Sequence, residues 1–526
     1  MTINNKYSSL RPLLLAAFCA GCGSVATLAQ EGLYRYQDAT QLWRLTDNAA
    51  GLGVDASASR GYAAFGLQHR SGDYRRVQEG GQRNQLRFDT ERYQRIGRLL
   101  TGYGHFRFDM DRTKDRAWAD VWEPYHGNPL YSGSSVHASY DTQLFDLTAA
   151  LSTIPIPLAG GDADRELTAG MRADYKVGDL SRLRDPRSRS ELLDYRLTPS
   201  VTYTFGRHTL GLSGHYRRRK EKIPNMLTVQ DDPSLKYYLM QGMEFAYGNV
   251  GDYKGFSRQW VRHQFGASLA YGSESGGTKS LTTLSALRGS EDVNGTEKQS
   301  AGHHQTYRFA LGSHWRLSRP GRLHQIDIDA SYEQAYTDSY LQQRVQTNDE
   351  VTGVASYHYE TLVNYRKGYQ VNLAEAGISY RANMTSDNAV TAYVGIAGRT
   401  CHTRDKHLLP DSRLTTAHTT LTLQGGKALF ARRLWVDGSC GRLFSHTGSG
   451  GLQLADASTD FAQEVLLPDM DYYRASCWDV SLSLKYIFPL TLKGYKARAC
   501  VKAYGDCVCA GSLHRQTVGL AFGIYN

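Results

Sequence analysis

Ionisable side chains recur through this chain at positions flanked mostly by apolar or aromatic neighbours. Arg107, Arg172, Asp174, Asp194, Arg196, Arg217, Arg308, Arg316, Asp327, Asp329, Arg399, Asp479, Lys485, Lys496 and Arg498 are the clearest cases. Successive side chains of a strand point to opposite faces, so such spacing gathers the charges on one face and the apolar groups on the other. A confined face rich in arginine focuses positive potential and favours anions. The same arginines can instead pair with carboxylates, Asp109, Glu333 and Glu375 among them, and cross-link a filled interior. Both signs occur on the same faces, which argues more for cross-linking than for an open anion pore.

Other groups with chemical potential carry less. Cys401, His402, Asp405, His407 and Asp411 are metal-ligating types within one expected loop, 401–413, but their spacing matches no ligand set. Gly272 to Ser280 superficially resembles a phosphate loop, yet the glycine–lysine order is wrong and no helix follows. His215, His263, His303, His304, His358 and His418 are scattered, with no triad-like arrangement. No catalytic residue, metal or cofactor is expected, and the chain reads as a non-enzyme. Six cysteines follow residue 29, and Cys507-x-Cys509 fits neither a zinc knuckle nor a redox motif, so packing thiols or opportunistic disulfides are expected.

The elements that position the charges are long alternating strands. Leu193, Tyr195, Leu197, Pro199, Val201, Tyr203 and Phe205 oppose Asp194, Arg196, Thr198, Ser200, Thr202 and Thr204, and Gly206-Arg207 turns the chain into a second such arm. An arm of about twelve residues exceeds the usual soluble strand and suits a tilted membrane-crossing one. Tyr is abundant at 35, Gly stands at 52 and mean hydropathy is −0.48. No long apolar run follows residue 29, which excludes a helical membrane protein. Eighteen candidate strands run from 61–69 to 515–525, and an even number between fourteen and eighteen is expected. Short links, such as 206–207, 273–277, 318–321 and 382–388, alternate with long ones expected at 221–257, 289–303, 335–365, 401–413 and 445–473. Short turns on one side and long loops on the other characterise transmembrane barrels. The final strand, Val518 to Tyr525, carries an aromatic beside the terminus.

These features predict an all-β fold: a closed transmembrane antiparallel β-barrel over 58–526. Before it stand a signal peptide at 1–29 and a short N-terminal periplasmic or lumen-plugging segment at 30–57. Lys6 and Arg11 precede the apolar run Leu13 to Phe18, and removing them lowers the formal charge from +10 to about +8. Asp38 is expected to cap a short helix through Arg44, and Asp232 to Met240 to form another inside the 221–257 loop. Both termini should be periplasmic and the long loops extracellular. Basic loop residues, Arg182, Arg184, Arg187, Arg189 and the run Arg217 to Lys222, suit outer-membrane lipid and lipopolysaccharide phosphates. Nothing points to nucleic acid.

Several stretches carry a resemblance: Ser71 to Gly80, Gly127-Asn128-Pro129, Asp174 to Leu180, Arg184 to Ser188 and Gly251 to Gln259. Through them the chain resembles an uncharacterised Bacteroidota outer-membrane barrel family, domain of unknown function 6850, over nearly its whole mature length. The resemblance implies the barrel, the bacterial outer membrane and an accessory role near TonB-dependent import systems, with a TonB-dependent transporter or surface lipoprotein as partner. It brings no catalytic residues. The expected function is uptake or passage of a small solute across the outer membrane. The alternative is a non-conducting structural or assembly partner whose extracellular loops dock another outer-membrane protein.

Overall fold

The computed structural model describes residues 31–55, 59–125, 127–158, 165–229, 235–250, 256–296, 299–348, 354–492 and 495–525. Alternation of apolar and polar side chains produces eighteen antiparallel strands, each bonded to its sequence neighbours. The first six are β1 Arg60–Gly72, β2 Gln82–Ile96, β3 Leu100–Arg116, β4 Ala138–Thr153, β5 Arg165–Arg182 and β6 Arg187–Phe205. Then come β7 His208–Ile223, β8 Arg258–Ser275, β9 Thr278–Asn294, β10 Ser300–Arg319, β11 Arg322–Asn348 and β12 Ala355–Ser386. The last six are β13 Ala389–His407, β14 Ser412–Leu429, β15 Leu434–Ser445, β16 Cys477–Leu492, β17 Tyr495–Ala510 and β18 Leu513–Tyr525. β18 pairs with β1 from Tyr62–Tyr525 to Gly72–Arg515, which closes the wall and removes both sheet edges.

The outer face is apolar and exposed, as at Leu423 (61%), Phe265 (61%) and Phe309 (57%). Such a belt suits lipid and would be costly in water. Two-residue links at 206–207, 276–277, 320–321 and 387–388 close hairpins at the end that bears Arg60 and Tyr525, where 97–99 and 430–433 are slightly longer. Gly276-Gly277 and Asp387-Asn388 do so with positive φ at both residues, the geometry that matches strand twist. At the other end stand three long connections, 117–137, 224–257 and 446–476.

Five expectations change. Residues 289–303, 335–365 and 401–413 are not long loops. β9 to β14 simply run on, because polar residues continue the two-residue alternation beyond the belt, and only 295–299, 349–354 and 408–411 link them. β11 and β12, 27 and 32 residues long, project past their neighbours as a free two-stranded hairpin. Lys236–Gly242 is a strand rather than part of a helix. Its adjacent aromatics favour extended backbone, and it pairs with Phe245–Val250 and Ser132–Gly133 in a small sheet. Asp38 does not cap a helix, because it lies inside α1, Glu31–Thr40, and pairs with Arg60. The signal-peptide expectation at 1–29 lies outside the described residues.

Candidate functional site: the barrel interior

Residues 31–55 lie against the inner wall at the end that bears the two-residue turns. α1 places Glu31 and Arg35 one helical turn apart, bonded at 3.1 Å. Arg35 then grips Asp437 of β15 through two bonds of 2.8 and 2.9 Å, and its guanidinium lies 4.3 Å from the Trp435 ring. Lys485 reaches Glu31 at 2.7 Å, and the Tyr34 hydroxyl donates to the Gly61 carbonyl at 2.9 Å. Across the barrel, Arg316 donates to the Ala39 carbonyl at 2.7 Å. Trp43 and Leu42 are buried with Ala270 and Leu281, while Ala49 and Leu52 are buried with Tyr93 and Ala150. Glycine makes these approaches possible. A Cβ on Gly170 would collide with the Ala49–Ala50 backbone, and one on Gly211 would meet the Trp43 ring at 2.8 Å. Burial pushes the Asp55 carboxyl up to about 7, against the pull of Arg44.

Ion pairs knit this segment to one side of the wall. Arg196 binds Asp47 at 2.7 and 3.1 Å and Asp174 at 3.0 Å. Arg172 adds bonds of 2.9 to 3.1 Å to Asp174, and the Thr148 hydroxyl donates to the same carboxylate at 2.7 Å. Arg217 holds Asp194 at 2.8 and 2.5 Å, and Arg107 bridges Asp109 and Asp146 at 3.1 and 3.2 Å. Arg316 and His314 share Asp327 at 2.8 and 2.7 Å.

Nearer the loop end those last two strands, β10 and β11, are leaner. Arg308 on β10 and Asp329 on β11 face inward, between outward Phe309 and outward Ile328, yet both are exposed, and neither forms an ion pair among the described residues. An inward side chain can be exposed only if accessible space lies inside the barrel. Gly312 and Gly377 flank Asp329 on the neighbouring strands and leave its carboxylate uncovered. Arg399 bonds Glu375 at 3.2 Å but keeps 60% of its side chain exposed, and Asp479 is exposed too. Arg498 faces inward across from Tyr525, and the side chain of Lys496 lies outside the described residues.

At the far end the long connections turn into the mouth. Trp118 packs on Tyr238 and Phe461 with ring centroids 4.4 and 5.3 Å apart and donates to Glu464 at 2.9 Å. Glu221 of β7 accepts from the Trp122 backbone N–H at 2.9 Å, and the Trp260 indole donates to the Leu130 carbonyl at 2.7 Å. Asp469, on the helix Leu467–Arg474, accepts from the Val77 N–H at 2.7 Å and the Tyr125 hydroxyl at 3.1 Å, so three connections meet at one carboxylate. Burial pushes that carboxyl up to about 7, although both hydrogen bonds and nearby Arg76 pull it down.

The Cys401-to-Asp411 donors are separated by the fold. Cys401 and His402 are adjacent on β13 and so face opposite sides, and no group of three metal-ligating side chains forms among the described residues. The six described cysteines are free thiols, with Cys507 and Cys509 Sγ 3.5 Å apart. The residues that hold the N-terminal segment, Glu31, Arg35, Asp47, Arg60 and Asp437, escaped sequence reasoning. Arg35 and Asp437 lie 402 positions apart. The one local signal was Glu31 and Arg35 at helical spacing.

Closed wall, apolar belt and charged interior define a transmembrane β-barrel. The chain belongs to a family of unknown function, DUF6850, whose model matches residues 49–526. A search of curated proteins returns no match. Among solved structures it is similar to the copper transporter OprC, at 10% identity and a TM-score of 0.38, over 89% of this chain and 80% of that one. The ferric yersiniabactin uptake receptor FyuA from Yersinia pestis matches at 12% identity and TM-score 0.36, over 89% and 80%. The FrpB iron transporter from Neisseria meningitidis matches at 8% identity and TM-score 0.37, over 91% and 83%.

Proposed function

We propose that this protein is a gated outer-membrane barrel that admits a small polar solute through an inner chamber. In this reading residues 31–55 form the periplasmic stopper, and the three long connections form the extracellular one. The observation that carries it is the pair Arg308 and Asp329: inward, exposed and unpaired among the described residues, between two occupied ends. Along β1 to β7 the wall spends many of its charges on each other; here they remain available to a solute. Side chains of both signs suit a ligand bearing both kinds of polar group better than a simple anion. Planar-bilayer recording tests this. The native protein should conduct little, and a variant lacking the Arg35 and Asp47 anchors should open. No current from either, at any voltage, refutes passage.

One observation favours the alternative, a partner barrel. Beyond the Gly302–Ser339 and Tyr369–His407 pairs the β11–β12 hairpin continues alone for about 30 Å, at roughly 3.3 Å per residue. It exposes Leu341, Tyr357, Leu362 and Tyr365. A two-stranded ribbon is marginal in water, and contact with another outer-membrane protein would support it. Shortening the hairpin by removing 340–366 should then release a co-purifying partner while leaving conductance unchanged.

A further inference from the structure

The outer wall near the β1–β18 seam is not uniformly convex. A groove of about 770 Å³ crosses β18, β1, β2, β3 and β4, within the range of ligand-binding sites. Strand register arranges its lining in rows. Leu520, Leu67, Leu86 and Met110 stand side by side as one row, which ends at Gln143. Two residues nearer the loop end, about 7 Å along the strands, Val518 is followed by the polar row His69, Asn84, Arg112 and Asp141. Two residues in the other direction lies an unbroken row of phenylalanines, Phe522, Phe65, Phe88, Phe108 and Phe145.

From the loop end inward, the groove therefore passes from charge to aliphatic, and the wall beyond its inner end is aromatic, the order of polarity met along a lipid from headgroup to chain. We propose that it seats one molecule of lipopolysaccharide, with a lipid A phosphate at Arg112 and an acyl chain of lipid A crossing the Leu67, Leu86 and Met110 row towards the phenylalanines. Asp141 occupies only Nε and Nη2 of Arg112, at 2.7 Å each, which leaves Nη1 free to donate to a phosphate. Lys114, on the same face two residues further out, is exposed and has no ion pair among the described residues. Two cations against one carboxylate leave a net positive rim, complementary to phosphate rather than to a neutral headgroup. A second outer groove, of about 560 Å³ at Leu269, Leu284, Ala286 and Phe309, has no polar row and serves as an internal control. The occupant rests on the loop end facing outward, as in the function proposed above.

The test is native mass spectrometry of the detergent-solubilised full chain titrated separately with lipid A, phosphatidylglycerol and phosphatidylethanolamine. Folding of each variant is checked by its heat-modifiable migration on gels. The expected result is selective lipid A binding, weakened about tenfold by Arg112→Gln with Lys114→Gln, abolished by Leu86→Trp and unchanged by Ala286→Trp. Equal binding of all three lipids, preference for a phospholipid, or indifference to Arg112→Gln with Lys114→Gln would overturn the proposal. Bilayer conductance of the same variants is read separately, so a failed lipid seat leaves the passage reading standing, and the reverse.

Discussion

Replacing Asp437 by alanine is expected to loosen the N-terminal segment without unfolding the barrel. Asp437 receives two bonds from Arg35, at 2.8 and 2.9 Å, and one from the Tyr393 hydroxyl at 2.9 Å. Breaking a fully buried ion pair costs about 3–5 kcal/mol, because the surviving charge is stranded. Here the cost is smaller for two reasons. The two side chains retain 26% and 18% exposure, and Arg35 keeps Glu31 at 3.1 Å. A loss of about 2 kcal/mol is reasonable, which shifts the docked-to-released ratio about 30-fold. Single-channel recording should show openings more frequent by that order, and protease should reach residues 31–55 sooner. A cycle with Arg35→Ala isolates the pair, since the second substitution should add little once the first is made. Unchanged opening frequency and unchanged protease protection would refute the view that this pair holds the segment in place.

Other perturbations separate the two stoppers. Asp469 has an ordinary carboxyl value of 3.8 when its loop is free and about 7 when docked, so the docked state holds the proton more tightly. Docking is therefore strongest below about pH 4 and weakens as pH rises towards 7; protease cleavage within 446–476 should be faster at pH 8 than at pH 5, and Asp469→Asn should flatten that difference. Gly170→Val would drive a side chain into the Ala49–Ala50 backbone at a cost of about 1–3 kcal/mol; conductance should rise while heat-modifiable migration stays native. Trp43→Ala empties a buried contact with Ala270 and Leu281, worth about 3–5 kcal/mol if fully lost; calorimetry should show a lower melting temperature for the segment's release, and an unaltered melting curve would show that the cluster does not anchor it.

The barrel was legible because its rule is local. Alternation at two residues and paired Gly or Asn turns can be read off any ten-residue window, and eighteen strands follow from repeating that reading. The strand ends were misread where the belt stops, since in 335–348 and 355–365 apolar residues are scattered among polar ones without a continuous apolar face. The interior was half legible. Arg172, Asp174 and Arg196 were assigned to the polar face, but Asp47, the shared partner of the two arginines, lies 149 positions from Arg196 in a segment with no strand alternation. Nothing local in Asp437 signals that it will meet Arg35.

Where the wall is crowded also bears on the choice between a cross-linked interior and a conducting one, because each description fits a different arc. From β1 to β7 the inward residues are long and of opposite sign, and residues 31–55 add further charges to the same network. From β10 to β13 the inward positions include Gly312, Gly377, Ser331 and Ala397, so that Arg308 and Asp329 stand apart from the paired Arg316–Asp327 and Arg399–Glu375. The segment is tied through Asp47 to β6, through Arg35 to β15 and through Arg316 to β10, and the short side chains beside Asp329 keep space between these ties. A solute would therefore need to displace the loop-end connections and only part of the N-terminal segment, along the β10–β13 side. Filling that arc, for instance by Gly377→Leu beside Asp329, should close any current opened by Asp437→Ala, while the same bulk on the crowded arc should not.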